Sequence, residues 1–299
     1  MLKAGSTLPF PRIKPGWEDE SAYFDPGIVN PQATDPDLPV WRLIPMLQAP
    51  GHIQMAVDLW LLQQQSSGNA PPALRFYTWD PCAISLGYHQ DRWPEFWQQL
   101  TWQGIPIELV RRPTGGRAVL HQGDLTYAIV ISNLSGNRLQ VYQKLCSFLI
   151  YGWQQLGIDL QYGKPGKAYH RQSDCFGTAT GADLVLSSGT KLIGSAQLQR
   201  GRSILQHGSI RLNPHLALFR KVFGSTYIQP VEFPFKGQGE TLIPKIVLAL
   251  VAAARHCFGI RLHLTPLSEP EWESILELIA SRNERSLVVA ARTDSDLLA

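Results

Sequence analysis

The chain has 299 residues, 44% hydrophobic and 17% charged, with a formal net charge of +3. That length suits one large domain or a domain with an appendage. So mild a charge argues against nucleic-acid binding and suits an acidic partner or substrate. The cysteines Cys82, Cys146, Cys175 and Cys257 are far apart, without CxxC or Cys–His ligand spacing, which argues against structural zinc and a disulfide framework.

Residues 1–40 carry many prolines and little periodicity, and read as an irregular N-terminal extension. They hold no apolar core of a secretory signal, and no run of ~18 apolar residues suggests a membrane span. The expected setting is the cytoplasm, with free thiols. The organised part starts near Trp41. In "GHIQMAVDLWLLQQQ" (51–65), Met55, Leu59 and Leu62 share one stripe beside Ile53 and Trp60, which predicts a helix. "LRFYTWD" and "AISLGYHQ" predict short strands around Pro81. "IPIELVRR" predicts a strand entering the loop "RRPTGGRAVLH" (111–121), and "LTYAIVIS" one leaving it.

A second helix is predicted over Leu139–Leu156, closed by Gly157. Residues 161–181 read as a long polar loop containing Cys175. "ADLVLSSGTKLIGSAQLQ" predicts a hairpin about Ser188-Gly189, and "SILQHGSIRL" continues the sheet. The remainder reads as helical: Ile246–Phe258 ended by Gly259, then a helix opened by Ser268 and Glu271 at capping-box spacing. The class is α/β (α+β), a mixed β-sheet flanked by helices. Three segments are expected: the extension 1–40, a catalytic domain over 41–265, and a C-terminal helix and tail over 266–299.

Gly115 and Gly116 allow main chain to approach a ligand or take positive φ. Arg111, Arg112 and Arg117 offer donors for phosphate or carboxylate groups. No phosphate-binding GxxxxGK[ST] is present, and "GQGETL" (237–242) lacks the third glycine of a dinucleotide fingerprint. Two readings stay open on residue types alone: an anion or thioester cradle, and a basic hairpin with a glycine bulge.

The loop "RRPTGGRAVLH" resembles the signature of the lipoate/biotin protein ligase superfamily. "GTKLIGSAQLQRGRSILQHGSI" (189–210) resembles its lysine-bearing hairpin and "QMAVDLWLL" (54–62) its opening helix, so the likeness spans roughly residues 41–215. "DCFG" (174–177) is most similar to the cysteine-dependent octanoyltransferases. The resemblance implies the catalytic-domain fold of biotin and lipoate protein ligases. It also implies octanoyl transfer from acyl carrier protein, through a cysteine thioester, to a lysine of a lipoyl-domain protein such as the glycine cleavage H protein or a 2-oxoacid dehydrogenase E2.

It gives Cys175 as nucleophile, set in a polar loop, and Lys191 as its activator. Arg112, Gly115, Gly116, Arg117 and Ala118 would bind substrate from the first loop. Gly194, Ser195, Ala196 and Gly208 would do so from the hairpin and the strand after it. His121 and His207, expected at strand ends after the two loops, could each take the proton of the incoming amine or serve structure alone. Asp58 reads as an orienting group or, more simply, a helix-surface or buried paired carboxylate. Octanoyl-phosphopantetheine thioester is the expected substrate, with no cofactor, no metal, no nucleic acid and no membrane, and the expected state is a monomer. Two alternatives stay open: an ATP-dependent lipoate–protein ligase, in which ATP would be needed, and a non-enzymatic protein of this fold that binds acyl groups or carrier proteins.

Overall fold

The computed structural model describes residues 17, 19, 22, 23, 35–163, 183–224, 231–234 and 242–281. An eight-stranded sheet organises the chain, in the order β13-β1-β2-β8-β12-β11-β10-β9. Its members are β1 (Val40–Ala49), β2 (Ala73–Trp79), β8 (Asp124–Ser132), β9 (Leu160–Tyr162), β10 (Asp183–Leu186), β11 (Lys191–Arg200), β12 (Ser203–Arg211) and β13 (Arg261–Leu264). β1 runs parallel to both β2 and β13; the other pairs are antiparallel.

Alternation along the strands divides the core. Leu74, Phe76, Tyr127, Ile129 and Ile204 face α2 (Arg138–Gln155) and α4 (Ile243–Phe258). Ala73, Tyr77, Ala128, Val130 and Leu205 face α1 (Gly51–Ser66) and α5 (Glu269–Ser281). With helices on both faces, side chains of both strand parities are buried. α2 opens with a capping box between Asn137 and Gln140, and α4 closes on Gly259, whose φ is +59°.

A smaller sheet, β6-β3-β7, joins β3 (Ala83–Leu86), β6 (Glu108–Arg111) and β7 (Val119–His121). A third core fills the space between it, the 3₁₀ turn Glu95–Gln99 and α3 (Leu216–Phe223). β4 (Thr101–Trp102) and β5 (Ile105–Pro106) form a short hairpin beside it. β6 and β7 lie on opposite sides of β3. The arginine–glycine loop between them therefore crosses the end of β3, which replaces the hairpin reading.

Several elements depart from the sequence expectation. β1 contains Pro45, which removes a ladder donor and weakens the strand signal; the sheet accommodates it with a register shift between Ile44 and Leu47. β13 falls where helix was expected, a four-residue strand formed only because β1 lies beside it. β9 and α3 were also unanticipated. Within the N-terminal stretch, Trp17 and Tyr23 are buried in the first core, and the Met46 N–H donates to the Tyr23 hydroxyl. Among the described residues no helix is long and apolar enough to cross a membrane.

Candidate functional site

A cavity of about 660 Å³ opens between the arginine–glycine loop, the start of α2 and strands β11 and β12. Its apolar lining includes Met55, Trp79, Val119, Leu139 and Tyr142. Lys191 and Asp183 also line it. Lys191 stands at the first position of β11, where β10 and β11 shift register. Its ammonium lies 2.9 Å from Asp183 Oδ1, and both side chains are buried. Gly194 makes room for it: a Cβ there would stand 2.8 Å from Lys191 Cε. A buried cation needs a partner, and Asp183 supplies it.

Gly208 serves close approach in the same way. A Cβ at that position would meet Ser195 Oγ at 2.5 Å, Tyr127 Cε1 at 2.7 Å and the Gly194 carbonyl oxygen at 2.8 Å.

The loop is held by its own arginines. Arg112 is buried and donates to the carbonyl oxygens of Ser85, Gly115 and Arg117 at 2.9, 2.9 and 2.7 Å. Arg111 donates to the carbonyls of Gly87, Tyr88 and Gln90. Gly116 has φ +101°, a conformation that favours glycine. The loop's approach to β3 depends on Gly87: a Cβ there would lie 1.8 Å from the Gly116 carbonyl oxygen.

Two buried histidine chains brace the site. His207 Nδ1 is 2.7 Å from Asp58 Oδ2, and its Nε2 is 2.7 Å from Thr114 Oγ1. Asp58 also accepts from Arg75 Nε at 2.8 Å and from the Tyr77 hydroxyl at 3.0 Å. Burial pushes the Asp58 carboxyl up, but Arg75, the His207 bond and Tyr77 together hold it below the usual aspartate value. The carboxylate therefore accepts from the Nδ1–H, and Nε2 shares a hydrogen bond with the threonine hydroxyl.

His121 repeats the pattern, with Nδ1 2.8 Å from Asp124 Oδ2 and Nε2 2.9 Å from Ser85 Oγ. Its ring stacks on Trp79 with centroids 3.7 Å apart. Burial lowers its pKa, with Asp124 opposing, so the ring is neutral. Both nitrogens of each histidine are engaged, so the geometry favours bracing of the loop over proton abstraction.

Residues 50–232 match the family model described as the lipoyl protein ligase A/B catalytic domain, more than half of the chain. The chain belongs to this family. Octanoyltransferase LipM of Carboxydothermus hydrogenoformans is 41% identical to it over 174 residues, which take in 57% of this chain and 64% of that protein. Octanoyltransferase LipM of Kyrpidia tusciae is 36% identical over 184 residues, 58% of this chain and 66% of that protein. The chain thus spans just under two thirds of the length of these relatives.

Among solved structures, lipoate-protein ligase A bound with ATP aligns with a TM-score of 0.64 at 22% identity, covering 81% of this chain and 94% of that one. A bi-partite lipoate protein ligase from Thermoplasma acidophilum, studied with its E2 lipoyl domain, aligns at 0.62 and 20% identity, covering 85% and 98%. These likenesses establish the lipoate ligase catalytic-domain fold.

Of the family-type positions expected from sequence, the cavity is lined by Arg112, Gly115, Gly116, Arg117, His121, Lys191, Gly194, Ser195, Ala196, His207 and Gly208. Ala118 is not among them: it is fully buried in the third core. His207 sits in the middle of β12, correcting the strand-end expectation. Asp58 is the buried paired carboxylate. Cys175 lies outside the described residues.

Cys146 is buried on α2, where burial pushes its thiol up to about 12, which fits an inert packing cysteine. Sequence reasoning missed Ser85, Trp79, Tyr142 and Asp183. Asp183 had a signal: folding the hairpin about Ser188-Gly189 brings it to the lysine's end of β11. Among the described residues no group of three or more His, Cys, Asp or Glu side chains could hold a metal ion.

Proposed function

We propose that this protein is an octanoyltransferase that modifies lipoyl-domain proteins. The carrying observation is the buried Lys191 ammonium, held by Asp183 at the wall of an apolar cavity beside the Gly115–Gly116 main chain. The relatedness to octanoyltransferases LipM supports the same reading.

In the proposed reaction an octanoyl thioester arrives on the phosphopantetheine arm of acyl carrier protein. The Cys175 thiolate attacks the carbonyl and expels the carrier thiolate, which takes up a proton. The ε-amine of the acceptor lysine then attacks the new thioester. An amide forms, the amine loses a proton, and Cys175 leaves as thiolate. The first exchange is nearly isoenergetic and the second runs downhill. The Lys191 ammonium would stabilise the oxyanion and the thiolate. The apolar wall would hold the alkyl tail at about 0.8 kcal/mol per buried methylene.

No cofactor and no ATP enter this scheme. The acceptors would be the glycine cleavage H protein or a 2-oxoacid dehydrogenase E2, the enzyme a monomer, and its setting the cytoplasm.

The test is to incubate the pure protein with octanoyl-carrier protein and a lipoyl domain, without ATP, and weigh the products by mass spectrometry. Octanoylation of the acceptor, lost in Cys175→Ser and kept in Cys257→Ser, is the expected result. A requirement for ATP and free acid would replace the transferase with a ligase. No product and no acyl adduct would leave a binding protein. Equal transfer by wild type and Cys175→Ser would remove the nucleophile.

A further inference from the structure

The chain has no Asp or Glu between Asp124 and Asp159, and none between Asp183 and Glu232. These two acid-free stretches supply α2, β11 and β12, which meet at one end of the cavity. There a second cavity of about 380 Å³ lies against the first, and Arg138 and Gln197 line both. The second is polar, lined in part by Asn133, Ser135, Gln199 and Arg202, and holds no acidic side chain. Arg138, Arg200 and Arg202 are exposed, and none of them forms an ion pair among the described residues. Leu139, 58% exposed, stands beside Arg138 and lines the larger cavity.

In the arginine–glycine loop, Arg111 and Arg112 turn their guanidinium groups to carbonyls. The exposed cations at this end of the cavity come instead from the first turn of α2 and the β11–β12 turn.

We propose that the second cavity and its arginine rim are the docking site of the acidic carrier protein that delivers the acyl group, receiving the phosphate end of its prosthetic arm. This rests on the transferase reading above. Distance selects the donor over the acceptor. Gln197 is six residues along β11 from Lys191, about 20 Å at the rise of an extended strand. A long, flexible phosphopantetheine arm spans such a gap, with its phosphate at Arg138 and Arg202 and its thioester near Lys191. An acceptor lysine has only a four-carbon stem, so the acceptor domain must press much closer to the reacting atoms. Rim cations of this kind steer an acidic partner and make its association salt-dependent.

The test uses the full chain and the double variant Arg200→Glu/Arg202→Glu, two exposed rim cations that do not line the larger cavity. Octanoyl-carrier protein and the small thioester octanoyl-pantetheine serve as alternative donors, and carrier-protein binding is measured by calorimetry at low and high salt. Charge reversal is expected to weaken carrier binding and lower kcat/KM for the carrier donor by roughly 10-fold or more. The salt dependence should flatten, and kcat/KM for octanoyl-pantetheine should stay unchanged. Unchanged carrier binding, an equal fall with both donors, or a rise confined to the KM of the lipoyl domain would each overturn the assignment. A wild type that binds the carrier protein but transfers nothing would refute the transferase reading, while the binding ratio would still decide the docking site.

Discussion

Gly87→Ala places one methyl group against the arginine–glycine loop. The new carbon would stand 1.8 Å from the Gly116 carbonyl oxygen and 2.8 Å from its carbon. Ordinary contact begins at 3.4 Å, so the loop must retreat by about 1.6 Å. The bonds that hold it measure 2.7 Å from Thr114 to His207, 2.9 Å from the Tyr88 N–H to the Thr114 carbonyl, and 2.7 Å from Arg112 to the Arg117 carbonyl. A shift of that size takes two or three of them out of range, at about 1 kcal/mol each, for a loss of about 2–3 kcal/mol. Transfer should fall roughly 100-fold, since a displacement near 1 Å already has that effect.

Gly115→Ala is the matched control, because a Cβ there meets nothing within 4 Å, and its urea midpoint should stay at the wild-type value. Urea denaturation and the ATP-free transfer assay read both variants. Wild-type stability and transfer in Gly87→Ala, or equal damage from the two substitutions, would refute the close-approach argument.

Lys191→Met leaves the buried Asp183 carboxylate without its cation and should cost about 3–5 kcal/mol. Adding Asp183→Leu should restore part of that stability while transfer stays absent; strictly additive losses in urea melts would contradict the pair. His121 is held neutral, its folded pKa below the ordinary 6.5. Its contribution to stability is therefore complete above pH 6.5 and is lost as pH falls through the lowered folded value. His121→Gln should show a shallower decline of urea midpoint between pH 7 and pH 5, values taken about the ordinary histidine range; parallel curves would refute the neutral assignment.

The sequence carried the local features and lost the distant ones. The α1 stripe, the turn at Ser188-Gly189 and the capping box of α5, where the Ser268 N–H donates to Glu271 at 2.8 Å, each depend on residues within a few positions of one another. β13 is four residues long and gains its conformation from β1, more than two hundred residues earlier, so no local period announces it. Lys191 was legible as a family lysine, but its burial depends on Asp183 across a register shift and on the bare Cα of Gly194. His207 was expected at a strand end because its role was read from the loop before it. Its partner is Asp58, 149 residues away, which no spacing rule connects to it.

The strand order bears on how this protein can be trimmed. β1 lies in the interior of the large sheet, between β13 and β2, yet it precedes the family-matched stretch 50–232, and α4 and β13 follow it. A chain cut to that stretch would lose an interior strand and the helix that covers one face, exposing the edge of β2 to pairing with other chains. The boundaries drawn by family likeness and those required for autonomous folding therefore do not coincide. Expression of a soluble fragment needs residues from both flanks.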